Sequence, residues 1–234
     1  MAIDLYVFDK DGTLIDFHAM WSGWAREIGR ALDAAADATV TPRLARLWGF
    51  DPDAGTVDPR GALATAPMAE LRALAGQAVA AAGRPDAAAL VAAIWRPPDP
   101  VALAHPLADL PALFGALRAA GAKIAVATTD DRTPTVATLA ALGLAPLVDA
   151  LGCGDDGLPL KPAPDVFLAI CRGLGVPPAR AAMVGDTLAD MQMGRAARAG
   201  RVIGVLSGAG TAELLGPLAD MLIPSVAALR PGVP

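Results

Sequence analysis

From about residue 109 onward, short apolar runs alternate with helical stretches of roughly 10–12 residues, and no other feature of the sequence constrains the fold as strongly. Lys123–Thr128, Ala181–Gly185, Val202–Val205 and Met221–Ile223 read as buried strands, and Leu147–Leu151 reads as a further short one. Between them Asp109–Ala120, Arg132–Leu142, Asp165–Leu174, Leu188–Ala199 and Thr211–Leu215 read as helices. Gly121, Gly143, Gly175 and Gly200 supply the stops. Strands spaced in this way predict a doubly wound parallel sheet, α/β in class, with both faces covered by helices. One more apolar run, Leu5–Phe8, stands near the N-terminus and reads as the first strand of the same sheet.

The stretch from about Phe17 to His105 breaks this pattern. It has no β-branched strand run, and helix-like segments dominate: His18–Leu32, Pro42–Trp48, Pro67–Ala82 and Pro85–Trp95. Prolines stand near several of their starts, where a missing N–H costs little. Residues 1–16 and 106–234 are therefore expected to form the α/β core. Residues 17–105 are expected to form an inserted helical domain, leaving and rejoining near the end of the first strand and so placed to cover it. Its four tryptophans, Trp21, Trp24, Trp48 and Trp95, are expected to pack its core.

Charge and composition remove several function classes. The formal net charge is −5, which argues against a nucleic-acid partner but leaves local cations and helix N-termini free to bind a small anion. Cys153 and Cys171 lack metal-site or redox spacing and read as free thiols. No run approaches the ~18 apolar residues of a membrane helix, and the N-terminus lacks a leader pattern. The expectation is a cytoplasmic protein with no membrane partner.

The chemistry is expected where strands end. Leu5–Phe8 runs into Asp9 and Asp11, two carboxylates that burial alone cannot explain. Gly12 permits a tight turn and Thr13 adds a hydroxyl. Lys10, between the acids, is expected by strand alternation to point away from them, toward solvent or a helix. Thr128 and Thr129 close the second core strand and are followed by Asp130 and Asp131. Lys161 precedes a helix. Gly185-Asp186-Thr187 closes another strand, with Asp190 one turn into the next helix. A parallel sheet gathers these groups at one edge. Clustered carboxylates raise one another's pKa, and a hard divalent cation such as Mg²⁺ relieves that repulsion. With a lysine, hydroxyls and backbone N–H groups, the set suits the oxygens of a phosphoryl group.

Asp9-x-Asp11-Gly12-Thr13, Thr128, Lys161 and Gly185-Asp186-x-x-x-Asp190, in that order, resemble the four motifs of the haloacid dehalogenase-like (HAD) hydrolases. The insertion after the first motif resembles the helical cap of the phosphoglycolate phosphatase-like branch. The resemblance implies a Rossmann-like core, a Mg²⁺ cofactor, and hydrolysis of a small phosphorylated metabolite through an aspartyl-phosphate. It implies Asp9 as nucleophile and Asp11 as general acid and base. It implies that Thr128, or Thr129 as the rival hydroxyl, and Lys161 hold the phosphoryl group. Thr13 and Gly12 would support the loop, and Asp9, Asp11 (through its carbonyl), Asp186 and Asp190 would serve the metal. Asp11 favours phosphoryl chemistry over dehalogenation. The lysines, Lys10, Lys123 and Lys161, leave none in the cap for Schiff-base chemistry. A sugar phosphomutase of the same superfamily, or a phosphate-ester-binding protein with little turnover, remains the alternative. Monomer and homodimer are both left open.

Overall fold

The computed structural model describes residues 2–231. The chain divides into two compact units, one of residues up to Phe17 and from Pro100 on, the other His18–Asp99.

The first unit is built on a six-stranded, wholly parallel sheet in the order β3-β2-β1-β4-β5-β6. The strands are β1 (Leu5–Phe8), β2 (Lys123–Ala127), β3 (Ala150–Gly152), β4 (Ala181–Gly185), β5 (Arg201–Val205) and β6 (Met221–Ile223). β1 lies between β2 and β4, with Phe8 opposite Val126 on one side and Val184 on the other. Alternation along β1 divides its side chains between two cores. Tyr6 and Phe8 pack with Leu110, Phe114 and Ile124, and Leu5 and Val7 pack with Phe167, Ile170 and Met183. Both faces are thus apolar, as a parallel sheet flanked by helices requires. The chain crosses from β1 to β2 on one side and from β3 to β4 on the other. The C-terminal end of β1 is therefore the point where strand order reverses, the crevice in which open α/β sheets bind ligands.

The second unit is helical. It contains α1 (Phe17–Ala36, whose first residue belongs to the other unit), α2 (Thr41–Trp48), α3 (Ala62–Thr65), α4 (Met68–Ala80) and α5 (Ala87–Ile94). The tryptophans do pack together. Trp24 stacks on Trp48 at 5.3 Å, with Trp21 and Trp95 edge-on to Trp24 at 5.5 and 5.4 Å. Two of the indole N–H groups reach backbone carbonyls: Trp48 Nε1 donates to the Leu71 carbonyl at 3.1 Å and Trp24 Nε1 to the Arg96 carbonyl at 2.6 Å. Asp33 accepts from the Val40 and Thr41 backbone N–H groups and the Thr41 hydroxyl, tying the start of α2 to α1.

The remaining helices of the first unit are α6 (Leu110–Ala119), α7 (Arg132–Ala141), α8 (Asp165–Leu174), α9 (Leu188–Ala196) and α10 (Ala212–Leu215). Several elements differ from the sequence expectation. The alanine-rich tail of α1 carries it to Ala36, beyond Leu32, and it stops at Asp37, which takes φ 49°. α9 ends before Gly200 because Arg198 adopts the left-handed conformation (φ 56°) that glycine was expected to supply. Pro146 sits in a 3₁₀ turn at Ala145–Leu147, which delays β3 to Ala150. Pro100–His105, read from sequence as part of the insertion, clusters with the α/β unit. There Thr138 Oγ1 donates to the Pro100 carbonyl at 2.7 Å, and the Asp16 N–H to the His105 carbonyl at 2.8 Å.

Candidate active site

The site is built where β1 and β4 end. Asp9 follows β1 directly, and its N–H donates to the Val184 carbonyl at 2.8 Å, so sheet pairing extends one residue past the strand and fixes the carboxylate's base. The loop then closes on itself. The N–H groups of Leu14 and Ile15 both donate to the Lys10 carbonyl, and that of Gly12 donates to the Ile15 carbonyl. Gly12 sits at φ +80°, and a side chain there would collide with Asp186, so the turn requires glycine on two counts.

Asp9, Asp186 and Asp190 bring a carboxylate oxygen each within 4.8 Å of one another, and all three are buried. Lys161 enters from the segment before α8. Its Nζ lies 2.5 Å from Asp9 Oδ1 and 2.7 Å from Asp190 Oδ1. Burial pushes the Asp9 carboxyl up to about 7, against the pull of Lys161 and helped by the charges of Asp190 and Asp11. Burial, with the charges of Asp9 and Asp190, holds Asp186 well above the usual carboxylate range. Burial opposes the charge on Lys161, but Asp190 and Asp9 more than reverse it, so this lysine stays an ammonium.

Each acid is held differently. Asp186 receives the Thr13 hydroxyl on Oδ1 at 3.1 Å and the Ala209 N–H on Oδ2 at 2.9 Å. Asp190 closes a capping box at the start of α9. The Thr187 hydroxyl and N–H donate to its Oδ2 at 2.6 and 3.0 Å, and its own N–H donates to Thr187 Oγ1. Its Oδ1 meets Lys161 as a charge contact outside hydrogen-bond geometry, so this buried oxygen keeps acceptor capacity. With all three carboxylates ionised, as metal binding requires, the one ammonium leaves a formal charge of −2, which a divalent cation with oxygen ligands cancels. The donor set therefore fits a hard metal ion.

Thr128 directly follows β2 and is buried, and its hydroxyl accepts the Asp130 N–H at 3.2 Å. Thr129 is half-buried beside it. Asp11 stands near enough to Asp9 to raise its pKa, but its side chain is engaged by Lys10. Lys10 corrects the sequence expectation. Instead of pointing away, it is 2% exposed and its Nζ lies between Asp11 and Asp130. Alternation failed as a guide because β1 stops at Phe8 and the chain turns immediately after Asp9. Sequence reasoning also missed the Ser207–Gly210 loop after β5. The Ser207 hydroxyl donates to the Gly12 carbonyl at 2.7 Å, and Gly208 packs so closely on Asp186 that a side chain would displace it. The run of small residues, Ser-Gly-Ala-Gly, was the available signal. A second acidic group, Cys153, Asp155 and Asp156, is mostly exposed and tied up by Arg132, which pairs with Asp156 at 2.6 Å.

The model of the haloacid dehalogenase-like hydrolase family matches residues 3–198. The chain belongs to this family. Among curated relatives, a phosphoglycolate phosphatase of Rhodospirillum rubrum is 41% identical over 101 residues, 43% of this chain and 42% of that protein. Protein CbbY of Rhodobacter capsulatus is 36% identical over 88 residues, 36% of this chain and 39% of that protein. The chain thus aligns with less than half the length of each of these relatives. The fold is similar over nearly the whole chain to a HAD family hydrolase of Deinococcus radiodurans solved with phosphate and sodium (TM-score 0.64, 21% identity, 97% of this chain and 93% of that one). It is also similar to CbbY of Rhodobacter sphaeroides solved with phosphate (TM-score 0.58, 23% identity, 97% and 96%). Among the described residues no helix is long and apolar enough to cross a membrane.

Proposed function

We propose that this protein is a Mg²⁺-dependent phosphate monoester hydrolase acting on a small phosphorylated metabolite, phosphoglycolate-like in size and charge, through a phosphorylated Asp9. The observation that carries the reading is a buried carboxylate at the switch point of the sheet, in contact with a lysine and grouped with two further buried acids. Phosphatase relatives support it.

An Asp9 carboxylate oxygen attacks phosphorus, the bond from phosphorus to the ester oxygen breaks, and Asp11 gives its proton to the departing oxygen. Water then attacks the phosphorylated Asp9, Asp11 takes the water's proton, and inorganic phosphate leaves with Asp9 restored. Lys161 and the Thr128 or Thr129 hydroxyl hold the equatorial oxygens, and Lys161 also offsets the charge on Asp9. Asp9 and Asp186, supported by Asp190 and the Asp11 carbonyl, would hold Mg²⁺, which supplies charge neutralisation between nucleophile and phosphoryl group. Thr13 and the Ala209 N–H keep Asp186 aimed for that task.

The test is phosphate release from a panel of small phosphate esters, with Mg²⁺ and with EDTA. The account expects Mg²⁺-dependent release that favours one class of ester. Folded, metal-loaded protein that binds esters and releases no phosphate from any of them would refute it and favour a binding role. Phosphate moved between positions of a sugar would favour a mutase.

A further inference from the structure

Lys10 lies outside the set of groups that serve the nucleophile and the metal, yet it is among the largest fully buried side chains of the described residues. Its Nζ is 2.8 Å from both Asp11 Oδ1 and Asp11 Oδ2, and 2.9 Å from Asp130 Oδ2. Asp11 and Asp130 are themselves partly open, at 14% and 17% side-chain exposure. The ammonium is therefore the buried hub of a triad whose two carboxylates reach the surface of the site. Burial opposes its charge and the two acids sustain it.

Stability is a weak reason to keep such a triad, because apolar residues of similar volume often serve a fold as well as a buried ion pair or better. Direction is what the triad supplies. A single cation that meets both oxygens of one carboxylate fixes where that carboxylate lies. Asp130 anchors the cation from a different strand end, and its N–H in turn binds the Thr128 hydroxyl. The loop after β1 and the loop after β2 are thereby fixed to one another through Lys10, with Asp11 on one and Thr128 and Thr129 on the other.

We propose that Lys10 and Asp130 are positioning residues for the reaction: together they set the place of the Asp11 carboxylate relative to the phosphoryl-binding hydroxyls, so that its proton reaches the leaving oxygen. This rests on the reading of Asp11 as acid and base. Lys10 acts only through Asp11, so its contribution depends on how much the leaving group needs a proton. An alkoxide needs one, whereas p-nitrophenolate departs without it.

The experiment uses the Mg²⁺-loaded enzyme and two esters, glycerol phosphate and p-nitrophenyl phosphate. Steady-state kcat and KM are measured for the first, and first-turnover release of p-nitrophenolate by stopped flow for the second. Lys10→Met is expected to lower kcat for glycerol phosphate by about 10- to 100-fold with KM changed by less than about threefold, while first-turnover release of p-nitrophenolate stays within about threefold of the parent. Asp130→Asn, a substitution of nearly equal size at a partly exposed position, is expected to show the same split more weakly. The double variant is expected to be no slower than Lys10→Met alone, because both act on one carboxylate. Equal losses on both esters, or no loss on either, would overturn the inference. Asp11→Asn separates the two levels of the argument. If it too fails to discriminate between the esters, the acid–base reading falls. If it discriminates and the Lys10 and Asp130 variants do not, the positioning inference alone falls.

Discussion

Removing the divalent cation should invert the usual dependence of stability on pH. Asp9 has its carboxyl raised from 3.8 to about 7, mainly by burial, and Asp186 is raised as well. Between these limits the native state binds protons that the unfolded chain does not. Stability then falls as pH rises, because its slope follows the protons bound in the unfolded state minus those bound in the native state. For Asp9 the shift of about three units corresponds to about 4 kcal/mol at most, present near pH 4 and lost as pH passes through 7. Acids held below their ordinary range by arginine partners, such as Asp149, Asp156 and Asp220, act in the opposite sense but at more acid pH. At about 2–4 °C per kcal/mol for a chain of this size, the melting temperature in EDTA should drop by up to about 10 °C between about pH 4.5 and pH 7.5. Saturating Mg²⁺ should abolish the drop, because metal binding holds the carboxylates ionised and displaces their protons. Calorimetry in EDTA and in Mg²⁺ across that range measures both effects. A melting temperature in EDTA that is flat or rises toward pH 7.5, or a gain from Mg²⁺ that is equal at both ends, would mean that the buried acids do not bind protons in this range.

Three substitutions test other parts of the structure. Gly208→Ala places a methyl group on Asp186 Oδ2 and should weaken Mg²⁺ affinity by about 10- to 100-fold, as read by isothermal titration. Lys161→Met leaves the buried acids without their cation. In EDTA at about pH 7.5 it should cost about 3–5 kcal/mol by urea denaturation, and much less at about pH 5. Trp48→Ala empties the centre of the tryptophan cluster and should cost the helical unit about 3–5 kcal/mol by the same method, while the α/β unit keeps its Mg²⁺ affinity.

The sheet was readable because its strands are buried on both faces. Runs such as Leu5–Phe8 and Ala181–Gly185 are apolar throughout, and the acids that interrupt such runs stand out. Asp9 and Asp186 come together because β1 and β4 are neighbours, and Lys161 and Asp190 join them from the segment before α8 and the first turn of α9. What escaped was set by contacts distant in sequence. Nothing local predicts that Lys10 turns to Asp130, since its direction is decided by a turn rather than by a strand period. The family resemblance implies metal support for Asp190. This residue caps α9 with one oxygen and meets Lys161 with the other, and the spacing of Thr187 and Asp190 already carried the capping signal. The limits of the helical unit were the least legible. Alanine-rich segments propagate helix until something stops them, and in α1 the stop is a left-handed aspartate rather than a glycine.

The proposed reaction requires that a phosphoryl group be transferred to Asp9. An acyl phosphate is reduced by borohydride to the alcohol, so turnover quenched in the presence of Mg²⁺ and an ester, then treated with borohydride, should convert residue 9 to homoserine in the mass spectrum of its peptide. The account predicts that conversion at Asp9, dependent on both ester and Mg²⁺ and absent from the Asp9→Asn variant, which should also lose at least about 10³-fold in turnover. Conversion at Asp11 or another acid, or continued turnover by Asp9→Asn near the parent rate, would contradict it.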